Sequence, residues 1–196
     1  MTIAIKASNI LAQNIPPSGY SWTLASRLGE MLALTERKYG PRDYSYTILG
    51  IEFKHAGQPS FWYPGNRKHI VIQLTVEALS NNNKALYQLA HESIHLLSPV
   101  TSGNANYLEE GLATHFSEEY MATVINQPHW NSGTGPIAEK YNTARDLVRQ
   151  LLAIDPNIIL KIRKKQPTIS LITAENILEE NNNIPNDLIQ QLIERF

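Results

Sequence analysis

His91, Glu92 and His95 follow one another as H-E-S-I-H inside the stretch LYQLAHESIHLLSP, Leu86 to Pro99. On a helix, two imidazoles four residues apart lie about 40° apart around the axis, on one face and within reach of a single cation. Zinc held by three protein ligands keeps a fourth position for water, lowers that water's pKa to about 7 and lets a neighbouring carboxylate take the proton. The spacing therefore carries a mechanism, with His91 and His95 as metal ligands and Glu92 as general base. A plainer reading competes with it. Each histidine directly follows a member of the helix's apolar stripe, Ala90 or Ile94, so both could be solvated side chains at its border. Cysteine is absent, which excludes disulfides and thiolate sites and leaves imidazole and carboxylate to hold any transition metal.

A third ligand separates the classes of such sites. The metzincin extension requires glycine at 98 and histidine at 101, where the chain has Ser98 and Thr101. Further on comes LEEGLATHF, with Glu109 and Glu110 preceding Gly111 on a second expected helix. H-E-x-x-H followed on the next helix by Leu-x-Glu-Gly-x-Ala resembles the gluzincin metallopeptidases, above all the catalytic domain of the aminopeptidase-N-like group. The resemblance implies Glu110 as the third zinc ligand. Glu109 stands where that family often has asparagine; it reads either as a support for the site or as a solvated first-turn carboxylate favoured by the helix dipole. His115 lies about 140° around the helix from Glu110 and is a poor co-ligand.

KYNTARDLVRQLL continues the likeness: Tyr141, with Ala144 three residues on, is similar to the family's tyrosine-bearing helix start. The resemblance implies that the Tyr141 hydroxyl donates to the oxyanion of the tetrahedral intermediate, and the alternative is a ring that only packs its helix. His129 and Tyr107 are the other candidate donors. Nothing in the chain matches the Gly-Ala-Met-Glu-Asn segment with which those aminopeptidases hold a free amino terminus, and their large flanking domains are missing. The expectation is a zinc endopeptidase. Its substrate would lie extended along a strand such as Ile70 to Leu74, unless HIVIQLT is an ordinary buried strand. The alternative function is a catalytically silent binding or regulatory protein on a metallopeptidase fold; an open cleft over the metal would favour the enzyme and a plugged one the alternative.

The elements that must position these residues follow from periodicity. Leu24, Leu28, Met31, Leu32 and Leu34 predict an amphipathic helix from Ser21 to about Lys38, capped by serine and ended by Gly40-Pro41. YSYTILGIEF and RKHIVIQLTV are strand-like, and the segment between them carries Gly57, Pro59, Pro64 and Gly65 as turn formers. Leu86, Leu89, Ala90, Ile94 and Leu97 form one stripe on the helix of the first motif; Leu108, Leu112, Phe116 and Tyr120 repeat every four residues on the second. NQPHWNSGTGP reads as a loop, Ile137 to Ile154 as a further helix, and PNIILKIRKK, TAENILEE and PNDLIQQLIERF as a helical end segment. The asparagine runs at Asn81 and Asn181 are polar breaks. The fold class expected is α+β. A small antiparallel or mixed sheet packs on a zincin-type helix, with a mostly helical C-terminal part, in one compact domain: helix and strands to about 76, metal-site helices about 77–126, helical part about 136–196.

The 17 basic and 18 acidic residues leave a net charge of -1, so no global field draws nucleic acid or an anionic membrane. RKK at Arg163 to Lys165 reads as a solvated helix face, and no apolar run reaches the ~18 residues of a membrane span. The partner expected is a peptide or protein substrate, with neither nucleic acid nor membrane, in the cytoplasm.

Overall fold

A computed structural model describes residues 23–100, 105–131 and 133–196. The first helix, α1 (Leu24–Tyr39), starts at Thr23, whose Oγ1 accepts the backbone N–H of Ser26 at 3.2 Å. The serine cap expected at Ser21 lies outside the described residues. Leu28, Met31, Thr35 and Tyr39, at steps of three and four, form its buried face, and Gly40 ends it at φ 97°, a left-handed conformation that costs glycine little.

Three strands follow: β1 (Thr47–Lys54), β2 (Ser60–Trp62) and β3 (His69–Thr75). Their order is β1-β3-β2, with β3 parallel to β1 and antiparallel to β2. Ile70, Ile72 and Leu74 alternate along β3 and are fully buried. This position corrects the expectation that Ile70 to Leu74 pairs with a substrate. The strand is central, its backbone bonded to neighbours on both sides. The three-residue β2, which sequence periodicity does not show, takes one edge of the sheet.

Next comes α2 (Asn82–His95), capped by the Asn81 side chain, which accepts the Lys84 N–H at 3.0 Å. Its apolar side, with Ala85, Leu86, Leu89, Ala90 and Ile94, is buried in the core cluster that also takes in Ile70, Ile72 and Leu74. Gln88 pins the helix to the sheet: its Oε1 accepts the Thr75 backbone N–H at 3.0 Å and its Nε2 donates to Thr75 Oγ1 at 2.9 Å. Then α3 (Tyr107–Thr123) packs on α2 and on α4 (Pro136–Ile154). The short helices α5 (Ile158–Ile162), α6 (Ala174–Glu180) and α7 (Asn186–Ile193) complete an α+β architecture of seven helices and three strands among the described residues.

Arg163, expected on a solvated face with Lys164 and Lys165, is 6% exposed. All its N–H groups meet backbone carbonyls. Nε donates to Pro167 at 2.9 Å, Nη1 to Tyr39 and Gly40 at 2.8 and 2.9 Å, and Nη2 to Pro41 and Leu97 at 2.8 and 3.2 Å. Burial pushes its pKa down to about 10, which still leaves it charged at neutral pH. The guanidinium thus ties the ends of α1 and α2 to the chain after α5. Lys164 and Lys165 are solvated, as expected. Among the described residues, no helix is long and apolar enough to cross a membrane.

Candidate metal centre

Helix α2 has one side in the core and turns His91 and His95 towards α3, where each meets a glutamate. Helix α3 begins where Asn106, 4% exposed, accepts the Glu109 N–H at 2.9 Å, and this cap sets the first turn from which Glu109 and Glu110 project. The two helices bring together the three expected ligands. His91 Nε2 lies 3.1 Å from Glu110 Oε2 and 3.2 Å from His95 Nε2, and His95 Nε2 lies 3.7 Å from the same carboxylate oxygen. A tetrahedral ion with bonds of ~2.0–2.1 Å needs its ligand atoms about 3.3–3.4 Å apart. The triangle has those dimensions, so the group His91, His95 and Glu110 can hold a metal ion.

Glu109 completes the arrangement. Its Oε1 lies 2.9 Å from His95 Nδ1. With Nδ1–H donating to that carboxylate, a neutral His95 keeps its Nε2 lone pair for the shared triangle, and the ring cannot turn without losing the bond. Glu109 is 2% exposed, so the solvated first-turn reading of it is overturned.

The charges respond to this crowding. For Glu110, burial acts upward, but the charge of His95 and the hydrogen bonds from His91 and His95 outweigh it and hold the carboxyl well below the usual range. For His95, burial acts downward, yet Glu110 and Glu109 together raise its pKa well above that of a free imidazole.

A cleft of about 490 Å³ adjoins the site: of the three ligand residues His91 lines it, together with Glu92 and Tyr141. Gln58, Asn131 and Thr134 at its margin are exposed, so the cleft opens to solvent. Glu92 is 4% exposed, and burial raises its pKa against the pull of His95 and His91. The Tyr141 ring meets the His91 ring edge to face, with centroids 5.7 Å apart. Burial, then the charges of Glu110 and Glu92, raise the pKa of its phenol and keep it protonated. Tyr107 and His129 are not among the residues lining the cleft; Tyr107 packs on Phe196 and His129 is exposed. His115 is also apart from the triangle.

Tyr141 reaches the site because α3 and α4 cross closely. A Cβ on Gly111 would lie 2.2 Å from the carbonyl oxygen of Ala144 and 2.8 Å from Val148 Cγ2. Glycine at 111 and a small residue at 144 let the two backbones touch, one residue after Glu110 and three after Tyr141. Several neighbours of the site carry no motif. Trp130 and Ile137 line the cleft, and the Phe61 ring stands edge-on to His95 with centroids 6.2 Å apart. Trp130 could have been suspected as a large aromatic in a polar loop; Phe61 had no such signal. Comparison with protein-family models, curated proteins and solved structures finds no match to this chain.

Proposed function

We propose that this protein is a zinc-dependent metallopeptidase of gluzincin type that cleaves within peptide chains. The observation that carries the reading is the ligand triangle, with edges of 3.1, 3.2 and 3.7 Å, one corner of which, His91, faces a cleft together with the buried carboxylate of Glu92. Imidazole and carboxylate donors in tetrahedral spacing suit zinc, which when bound supplies a Lewis acid for a substrate carbonyl and acidifies water.

The chain's own groups then divide the work. Glu92 takes a proton from the attacking water and passes it to the leaving amine as the C–N bond breaks. Its raised pKa suits a carboxylate that must hold that proton between the two steps. Tyr141, protonated and beside His91, donates its hydroxyl to the oxyanion. Glu109 holds the His95 ring. An extended substrate would run along β2, the sheet edge whose preceding residues Gln58 and Pro59 line the cleft. The solvent-open cleft favours this reading over a silent binding protein.

Elemental analysis of the purified protein is expected to find about one zinc per chain. His91→Ala and Glu110→Ala should lose it under dilute chelator. Mass spectrometry of a digested peptide library is expected to show internal cuts, at similar rates for N-acetylated and free-amine versions of one peptide. Release of single residues from free N-termini would sink the endopeptidase reading, and the absence of any product would favour the binding protein.

A further inference from the structure

After α7 the chain runs extended through Glu194, Arg195 and Phe196, alongside the residues that open α3. Tyr107 N–H donates to the Glu194 carbonyl at 3.0 Å, Phe196 N–H donates to the Ala105 carbonyl at 3.0 Å, and Asn106 and Arg195 form an antiparallel bridge. This strap is anchored by α7, whose Leu188, Ile189 and Leu192 are buried. Asn106, in the middle of the pairing, is the residue that caps α3 ahead of Glu109 and Glu110.

The strap delivers one side chain to the site. The Phe196 ring lies 4.9 Å from the Tyr141 ring and 5.1 Å from the Tyr107 ring, with the Lys140 ammonium 4.2 Å above it. The Tyr141 ring thus contacts both His91 and Phe196. A tyrosine near the start of a helix has more than one staggered χ1 available, and a neighbouring ring selects among them by contact.

We propose that Phe196 is a positioning residue for Tyr141: held by the strap, it keeps the phenol ring against His91 and so sets where the hydroxyl stands. The geometric part stands on these contacts alone; its catalytic consequence rests on the peptidase reading above.

Two measurements on the full chain separate these parts. In the metal-free protein with labelled tyrosine and histidine, nuclear Overhauser contacts between the Tyr141 and His91 rings are expected in the parent and in Phe196→Tyr, and should vanish in Phe196→Ala. In the zinc-loaded protein, Phe196→Ala should lower kcat about tenfold at unchanged zinc content, with KM within about twofold, and Phe196→Tyr should restore it. In a Tyr141→Phe background the same change should cost nothing further, because the hydroxyl it positions is gone. Persistence of the ring contact in Phe196→Ala overturns the proposal, as does an equal loss of kcat with and without the hydroxyl. If the parent cuts no peptide, the peptidase reading fails while the ring contact still decides the geometric claim. Should Phe196→Ala fail to fold, Phe196→Leu keeps the apolar packing without the ring face and takes its place with the same outcomes.

Discussion

Burial raises the pKa of Glu92 while the charges of His95 and His91 pull it back, so this carboxylate is poised by its neighbours without being one of the triangle's corners. Glu92→Gln is therefore expected to keep the fold and the zinc yet lose hydrolysis by about 10²–10⁴-fold. Equal rates for variant and parent on one peptide would remove Glu92 from the mechanism. Glu109→Gln retains an oxygen for the His95 Nδ1–H but removes the charge, and zinc affinity should fall about 10–100-fold in competition with a chelator. An unchanged affinity would reduce Glu109 to packing. At this scale the site was partly legible. His91, Glu92 and His95 are local, so helical spacing alone puts them together. Glu110 needed the resemblance, because composition offers no way to choose between adjacent glutamates on a neighbouring helix. Phe61 and Phe196 come from distant parts of the chain and meet the site only through tertiary packing, which leaves no trace in a local window.

Helix α4 lies against α3 so closely that the Ala144 carbonyl occupies the space a side chain at 111 would need. Gly111→Ala cannot be relieved by a rotamer change, since the obstacle at 2.2 Å is backbone. Urea unfolding is expected to show a loss of at least about 1–3 kcal/mol. If the variant folds, α4 must shift and carry Tyr141 away from His91, so activity should fall more than zinc content. No change in stability would mean that the helices part without cost. The helices themselves were readable, since an amphipathic stripe repeats many times over a helix's length. Strand β2 was not: three residues between Pro59 and Pro64 offer too short a pattern. Of the two readings of β3, the ordinary buried strand holds and the substrate-pairing edge fails, for another reason. Alternation along a strand reports which face is buried, whereas strand order is set by what bonds to its two edges.

Across the whole molecule, Arg163 joins segments that no local pattern connects, with every N–H on a carbonyl of α1's end, α2's end or the Pro167 turn. Read in sequence, RKK is three charges; only the fold shows that the first is enclosed by acceptors. Arg163→Lys cannot reach them all, and leaving buried acceptors without donors costs about 1–3 kcal/mol each. A loss of at least about 3 kcal/mol should lower the melting temperature by about 6–12 °C, whereas Lys164→Ala should leave it nearly unchanged. Similar melting for both variants would show that the enclosed guanidinium contributes no more than its solvated neighbour. The paired hydrogen bonds between Gln88 and Thr75 join a helix to the sheet and have a consequence for metal capture. They stop α2 from rolling on the sheet, just as Glu109 stops the His95 ring from turning. The site is preorganised: the entropy of bringing its ligands together is met when the chain folds. An arriving ion should find them in place and leave the backbone where it was.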